Sequence, residues 1–300
     1  MADAIAIAGV RKVFGDFVAV DDLSLNVPDG TLCGFIGPNG SGKTTTLRLI
    51  MRVYAPDAGD VTVLGDARHG PADDRVGYLP EERMLYKSMR VGEVLTYLSR
   101  LKGYKPNKIE IDHWLEKLAL PGVAKRRVQT LSKGQTQKIQ LIAVLIAKPK
   151  LVLLDEPFSG LDPVNSDVMT GAILDLKKAG TTVLFSTHDM ASAEKLCDRI
   201  VMIYKGRKVM DGTVNQIRAG HSKNTLRVRL AGNVDPFNDI AGVAGVFAFA
   251  DHHELQLTAD ADPQRVLTEL QGRGRVELFE IAKPSLHDLF VRTVTEAGHE

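Results

Sequence analysis

Cysteine is scarce in this chain: its 300 residues hold only Cys33 and Cys197, far apart, each beside apolar residues and neither within metal-ligand spacing of another ligand. That excludes a disulfide framework, makes both thiols buried structural groups, and suits a reducing cytoplasm. Long hydrophobic runs are missing as well. No segment approaches the ~20 apolar residues that cross a bilayer, and the opening MADAIAIAGVRK has no basic stretch before its apolar run. The chain therefore reads as one that does not span a membrane, and any membrane role falls to a partner. A charge excess is the third absence. A net charge of +1 excludes general attraction to nucleic acid or anionic lipid, and the basic triplet at 125–127 is short and reads as a solvated helix end. No repeat or low-complexity tract occurs, so whatever site the chain carries is present once. An apolar content of 44% with 25% charged residues is that of a globular protein of one or two domains, not a disordered chain.

From Ile5 to about Gly220, short β-rich runs mix with longer helical stretches, the pattern of an α/β domain. Leu32 to Ile36, Leu151 to Leu154 and Thr182 to Phe185 are apolar almost throughout, as parallel strands covered on both faces must be. Between Leu85 and Ala147 three helical runs follow one another, VGEVLTYLSRLKGY, IDHWLEKLAL and QTQKIQLIAVLIAK, which predicts a helical insertion in the α/β core. The polar stretch 215–224 reads as a linker or edge. After it, TLRVRL and HELQLTA alternate like half-buried strands, PQRVLTELQGRG reads as a helix ended by glycine, and RVELFEIA as another strand. Ser285 and Asp288 form a capping-box-like start to a last helix. The expected organisation is a domain over 1–222 with a helical subdomain at about 85–147, then a smaller α+β domain over 223–300.

Two segments carry chemistry. GPNGSGKT at 37–44 satisfies the phosphate-loop pattern and lies between strand LCGFI and the helical run TTTLRLIMRVY. Gly37, Gly40 and Gly42 let the backbone turn tightly, and Pro38, Asn39 and Ser41 complete a loop whose N–H groups converge on phosphate at a helix start. Lys43 reaches the β- and γ-phosphates, Thr44 places a hydroxyl on Mg²⁺, and Thr45 supports the phosphates. LVLLDEP at 151–157 supplies the complement. Asp155 emerges at the carboxyl end of a buried strand and is expected to hold Mg²⁺ through water, while Glu156 is placed to orient or deprotonate the attacking water. The reading is a site for a nucleoside triphosphate and Mg²⁺.

A third segment, LSKGQ at 131–135, lies about twenty residues before LVLLDEP, and here the chain resembles the ATP-binding cassette family, whose signature is usually LSGGQ. The resemblance spans roughly residues 4–220. SGLD at 159–162 resembles the family's D-loop, Thr187 and His188 its H-loop, and Phe14 the aromatic that stacks on adenine. Ser132 and Gln135 form a capping box, so a helix begins there with unpaired N–H groups. The resemblance implies that Ser132, Gly134 and Gln135 face the γ-phosphate held by an opposite protomer. ATP binding would then make a homodimer or a cassette heterodimer, with Asp162 communicating between sites and His188 contacting the γ-phosphate and holding the water. It further implies a P-loop ATPase fold with ATP and Mg²⁺ as cofactors.

Two positions depart from the family pattern. Lys133 replaces a glycine; its cation opposes the helix dipole by about 0.3–1 kcal/mol and reads either as a phosphate contact or as a solvated lysine. Glu81 stands where relatives have the Q-loop glutamine that touches Mg²⁺ and links the site to a transmembrane partner. The segment GYLPEERMLY and the C-terminal PSLHDLF resemble a bacterial subgroup of sodium and drug exporters. The expectation is therefore the ATP-hydrolysing subunit of an exporter, peripheral on the cytoplasmic face of the inner membrane through a separately encoded permease, with no nucleic acid partner. The rival readings are a mechanical clamp on DNA or ribosomes, whose usual coiled coils and paired cassettes are not visible here, and a ligand-sensing switch. His252, His253 and Glu254 suggest a metal for the latter, yet adjacent histidines on a strand point to opposite faces.

Overall fold

The computed structural model describes residues 2–67, 73–82, 85–219, 225–231, 237–249, 251–258, 260–282 and 285–297. The chain divides into two units, Met1–Thr213 and Val214–Glu300.

The first unit opens with two long strands, β1 (Asp3–Phe14) and β2 (Phe17–Pro28), followed by β3 (Leu32–Ile36), α1 (Lys43–Ile50), β4 (Ala58–Val63) and β5 (Val76–Leu79). Three helices come next, α2 (Val91–Leu101), α3 (Lys108–Lys117) and α4 (Lys133–Leu145). Then β6 (Leu151–Asp155), α5 (Pro163–Lys178), β7 (Thr182–Thr187), α6 (Met190–Leu196), β8 (Arg199–Tyr204) and β9 (Arg207–Gly212) complete the unit.

Six strands form one sheet in the order β5-β6-β7-β3-β8-β9, parallel except for β9. Every residue of β3, β6 and β7 is buried, which explains their unbroken apolar text: both faces are covered. A second, antiparallel sheet, β2-β1-β4, supplies Ile5, Val10, Leu23 and Val27 to a core shared with Phe35, Leu47 and Leu153. This sheet was not legible as a unit in the sequence, because β1 and β2 alternate irregularly through four register shifts. The carboxyl ends of β3, β6 and β7, being neighbours, bring Gly37, Asp155 and His188 to one edge although they are far apart in the chain. That is where an open α/β sheet binds its ligands.

The second unit contains α7 (Val214–Ala219), β10 (Thr225–Leu230), β11 (Val243–Ala248), β12 (His253–Leu257), α8 (Pro263–Arg273), β13 (Val276–Ala282) and α9 (Leu286–Ala297). The linker reading of 215–224 is corrected over its first part, which is helical to Ala219; residues 220–224 lie outside those described. An antiparallel sheet, β11-β12-β10-β13, carries Leu226, Val228, Leu255 and Leu257 against Val266 and Leu270 of α8. Strand β11 was missed because AGVAGVFAFA has no clear period of two. Asp262 caps α8 by accepting from Gln264 N, and Ser285 caps α9 through reciprocal bonds of 3.2 and 3.1 Å with Asp288. His252 Nδ1 lies 2.7 Å from Asp251 Oδ1, and the His253 ring packs 4.7 Å from that of Phe237. Among the described residues no group of three or more potential ligands is placed to hold a metal.

Candidate functional site

The loop between β3 and α1 is shaped by its glycines. Gly42 has φ 103°, and a Cβ there would meet the Ala19 carbonyl oxygen at 2.5 Å; at Gly37 it would meet the Ile203 carbonyl oxygen at 2.3 Å. Larger residues would push the loop away from the strands that hold it. Helix α1 starts without a side-chain cap and without an acidic residue in its first turn. Its first N–H groups and the positive end of its dipole are therefore directed at the loop. Thr46 fixes the turn by donating to Gly42 O at 2.9 Å.

Lys43 is buried and donates to Gly37 O at 2.7 Å and Pro38 O at 3.1 Å, with its ammonium 3.7 Å from Glu156 Oε1. Burial pushes its pKa down, and the charges of Glu156 and Asp155 oppose that shift. Asp155 is buried at the end of β6; its Oδ1 accepts from Ser186 Oγ at 2.5 Å, and its Oδ2 has no hydrogen-bond partner. Ser186 also accepts from Glu156 N at 3.0 Å, so one hydroxyl of β7 orients both acidic residues. Glu156 itself sits at φ 47°, a left-handed conformation that costs a non-glycine residue about 1–3 kcal/mol and that concentrates at working sites. His188 Nδ1 lies 3.1 Å from both carboxylate oxygens of Glu156.

A cleft of about 380 Å³ is lined by Asn39, Gly40, Gly42, Lys43, Thr44 and Thr45 of the loop, and by Glu81 and Glu156 opposite. Phe17 also lines it, whereas Phe14, its directly opposed partner across the β1–β2 turn, stands against Tyr54 with ring centroids 5.2 Å apart. Phe17 was overlooked because the motif resemblance pointed to its neighbour. Ser186 and Gln137, whose amide donates to Pro157 O at 2.5 Å, were missed for a different reason: neither belongs to a contiguous phosphate motif.

The remaining sequence-derived candidates lie around α4 and α5. Ser132 accepts from Gln135 N at 3.2 Å while Gln135 Oε1 accepts from Ser132 N at 3.1 Å, closing the capping box. Gly134 sits so close to the first turn of α5 that an added Cβ would be 3.3 Å from Asn165 Nδ2. Asp162 caps α5, accepting from Asn165 N at 2.9 Å, and this bond holds its carboxyl below the ordinary range. Of the segment GYLPEERMLY, residues 83 and 84 lie outside those described.

The donor set fits a magnesium-bound triphosphate. Asp155 Oδ2 and Ser41 Oγ are buried polar atoms without partners, the loop accommodates no Cβ at Gly37 or Gly42, and Thr44 stands in the cleft. Buried oxygens of this kind are costly unless a ligand satisfies them. Hard oxygen donors are also those Mg²⁺ prefers.

Comparison with known proteins agrees with this geometry. Residues 20–159 match the family model for ABC transporters, and residues 212–294 match that of the C-terminal domain of DrrA1-3-like ATP-binding proteins. The chain is 38% identical to an uncharacterized ABC transporter ATP-binding protein, YhaQ, of Bacillus subtilis over 95% of this chain and 96% of that one. It is 35% identical to the Nod factor export ATP-binding protein I of Rhizobium sp. over 96% of both chains. A solved ATP-binding subunit of an ABC transporter superposes with a TM-score of 0.67 at 27% identity, covering 72% of this chain and 92% of that one. The phosphate loop, the acidic pair at the end of β6 and full-length similarity to such subunits lead to one conclusion: the chain belongs to the ABC transporter ATP-binding proteins.

Proposed function

We propose that this chain is the ATP-hydrolysing subunit of an exporter, acting as one of two cassettes, in a homodimer or a heterodimer, on a separately encoded membrane permease. The observation that carries hydrolysis is the placement of Glu156, a buried carboxylate in a left-handed backbone conformation, 3.7 Å from Lys43 and 3.1 Å from His188, facing the glycine loop. In this reading Lys43 and the N–H groups at the start of α1 hold the β- and γ-phosphates. Glu156 takes the proton of the attacking water, and His188, anchored on Glu156, keeps that water and the γ-phosphate in line. Asp155, Thr44 and Glu81 would hold Mg²⁺, which would neutralise charge on the phosphate oxygens. An aromatic of the β1–β2 turn, Phe14 or Phe17, would cover the adenine.

Ser132, Gly134 and Gln135 would face the nucleotide of the opposite cassette, and Asp162 would communicate between the two sites. Closing on ATP and reopening after hydrolysis would give the permease two conformations to alternate between. No helix among the described residues is long and apolar enough to cross a membrane, which supports a separate spanning subunit. An apolar groove of about 230 Å³, bounded by Tyr78, Leu79, Leu85, Leu98, Leu101 and Val144, adjoins the segment bearing Glu81; we assign it to a helix of the permease. Full-length similarity to proteins named for Nod factor export supports the outward direction, and cargo choice belongs to the permease.

Affinity purification of the tagged Glu156→Gln chain from detergent-solubilised host membranes with MgATP tests the proposal. A stoichiometric multi-span partner supports it. Recovery of ribosomes, DNA or only soluble proteins overturns the transport assignment and leaves the nucleotide site standing.

A further inference from the structure

The basic triplet Lys125, Arg126 and Arg127 is joined in space by cations from a distant stretch of chain. Residues 87–91 run antiparallel to 126–129: Val91 N donates to Arg126 O at 2.9 Å, Val128 N to Met89 O at 3.0 Å and Gln129 N to Lys87 O at 3.0 Å. The first two bonds flank Arg90 and Arg127, which form an isolated antiparallel bridge. They are therefore a non-hydrogen-bonded pair, the closer kind, in which facing Cβ atoms stand about 4.5–5.5 Å apart and like charges repel. No acid relieves them. Glu93, on the first turn of α2, accepts from Arg90 N at 2.9 Å, and Arg126 donates to Thr130 O at 2.7 Å. Lys87, Arg90, Lys125, Arg126 and Arg127 are all exposed, and among the described residues none of them forms an ion pair.

Two aromatics adjoin the cations. Tyr97, seven residues after Arg90 and so on the same face of α2, packs edge-on against Tyr86 with ring centroids 5.6 Å apart, and both residues are exposed. Exposed tyrosines among lysines and arginines are the composition of a membrane interface: the rings sit at headgroup level, and a guanidinium takes two phosphate oxygens at once. Leu85 and Leu98, next in the chain to Tyr86 and Tyr97, line the groove assigned above to a permease helix, so the patch continues that surface.

We infer that the Arg90–Arg127 pair, with its flanking cations and the Tyr86–Tyr97 pair, is a contact site for the phosphate headgroups of anionic phospholipid beside the docked permease. A phosphate between the two guanidiniums turns their repulsion into attraction. The chain's net charge of +1 supplies no general attraction to such a surface, so binding depends on this patch. Its place beside a permease rests on the transport reading above; the lipid contact is tested without permease or nucleotide.

The purified full-length chain is sedimented with vesicles of phosphatidylcholine alone and of phosphatidylcholine with phosphatidylglycerol. Binding is expected only to the second, and should weaken as sodium chloride is raised. Arg90→Gln and Arg127→Gln should each weaken it about fivefold and the double variant about 25-fold. Lys178→Gln, a 77% exposed cation on α5, should leave it unchanged. In urea unfolding without lipid, Arg127→Gln should hold or raise the midpoint, because a repulsive neighbour is gone. Failure to bind the anionic vesicles, or equal binding by the double variant, overturns the inference. So does a lowered midpoint, which would mean that Arg127 serves the fold, or a raised KM for MgATP in Arg127→Gln, which would make the pair a nucleotide contact. A multi-span partner lost from the double variant while vesicles are ignored would assign the pair to an acidic permease segment and overturn the lipid. Vesicle binding that stands while no multi-span partner is ever recovered sinks the transport reading and keeps the lipid site.

Discussion

Replacing Glu156 by Gln preserves the shape of the side chain and removes its charge and its basicity. A positioned general base contributes about 10²–10⁴ in rate, so hydrolysis should fall at least about a hundredfold, which corresponds to ~2.7 kcal/mol in the barrier. Binding should respond in the opposite way. At 3.7 Å the gross attraction between Lys43 and Glu156 is about 4 kcal/mol for an effective dielectric near 20, and desolvation of both buried groups offsets much of it. Removing the carboxylate frees Lys43 from that attraction and removes a negative charge facing the triphosphate. ATP affinity should therefore hold or tighten, and the ATP-bound pair of cassettes should persist. Single-turnover phosphate release, equilibrium nucleotide binding and size-exclusion chromatography with MgATP read the three effects separately. Turnover within threefold of wild type would refute Glu156 as the base, and a large loss of ATP affinity would refute the electrostatic account of the cleft.

Ser186→Ala removes the hydroxyl that holds both Asp155 and Glu156; urea unfolding should show a loss of about 1–3 kcal/mol, the ordinary cost of stranding a buried partner. Gly42→Ala should abolish nucleotide binding and destabilise the chain, because the new Cβ would meet the Ala19 oxygen at 2.5 Å. Gly122→Ala, at φ 76° with nothing within 4 Å, should cost only the left-handed strain of about 1–2 kcal/mol and leave binding intact, as thermal melts and nucleotide titration would reveal. Burial pushes the Cys33 thiol up to about 12 and raises that of Cys197 as well. Both thiols should resist alkylation in the folded chain and react on unfolding. Because an unfolded thiol ionises near 9 while Cys33 does so near 12, the unfolded state binds fewer protons between these values. Stability is unaffected by this group below about pH 9 and falls as pH rises above it; in pH-dependent urea unfolding Cys33→Ser should lessen that fall, and the similarly raised Cys197 should sustain the remainder.

The nucleotide site was legible where its residues are contiguous. GPNGSGKT and LVLLDEP combine apolar strands with loop residues whose conformational or chemical demands only a few amino acids satisfy, and the capping box at Ser132 and Gln135 is equally local. The helical runs before β6 were readable because amphipathic spacing is a property of a dozen neighbouring residues. Sequence could not supply what depends on distant segments packing together. The order β6-β7-β3 sets Ser186 beside Asp155 and His188 beside Glu156, pairs separated by about thirty residues. The turn between β1 and β2 places Phe17 in the cleft and Phe14 on Tyr54, a choice fixed by hairpin geometry and not by either residue's type. Lys133 could be read alone as a phosphate ligand or a solvated charge. Only the approach of α4 to the loop after β6 lays it over Gly160, because which backbone a long side chain crosses depends on segments distant in sequence coming together.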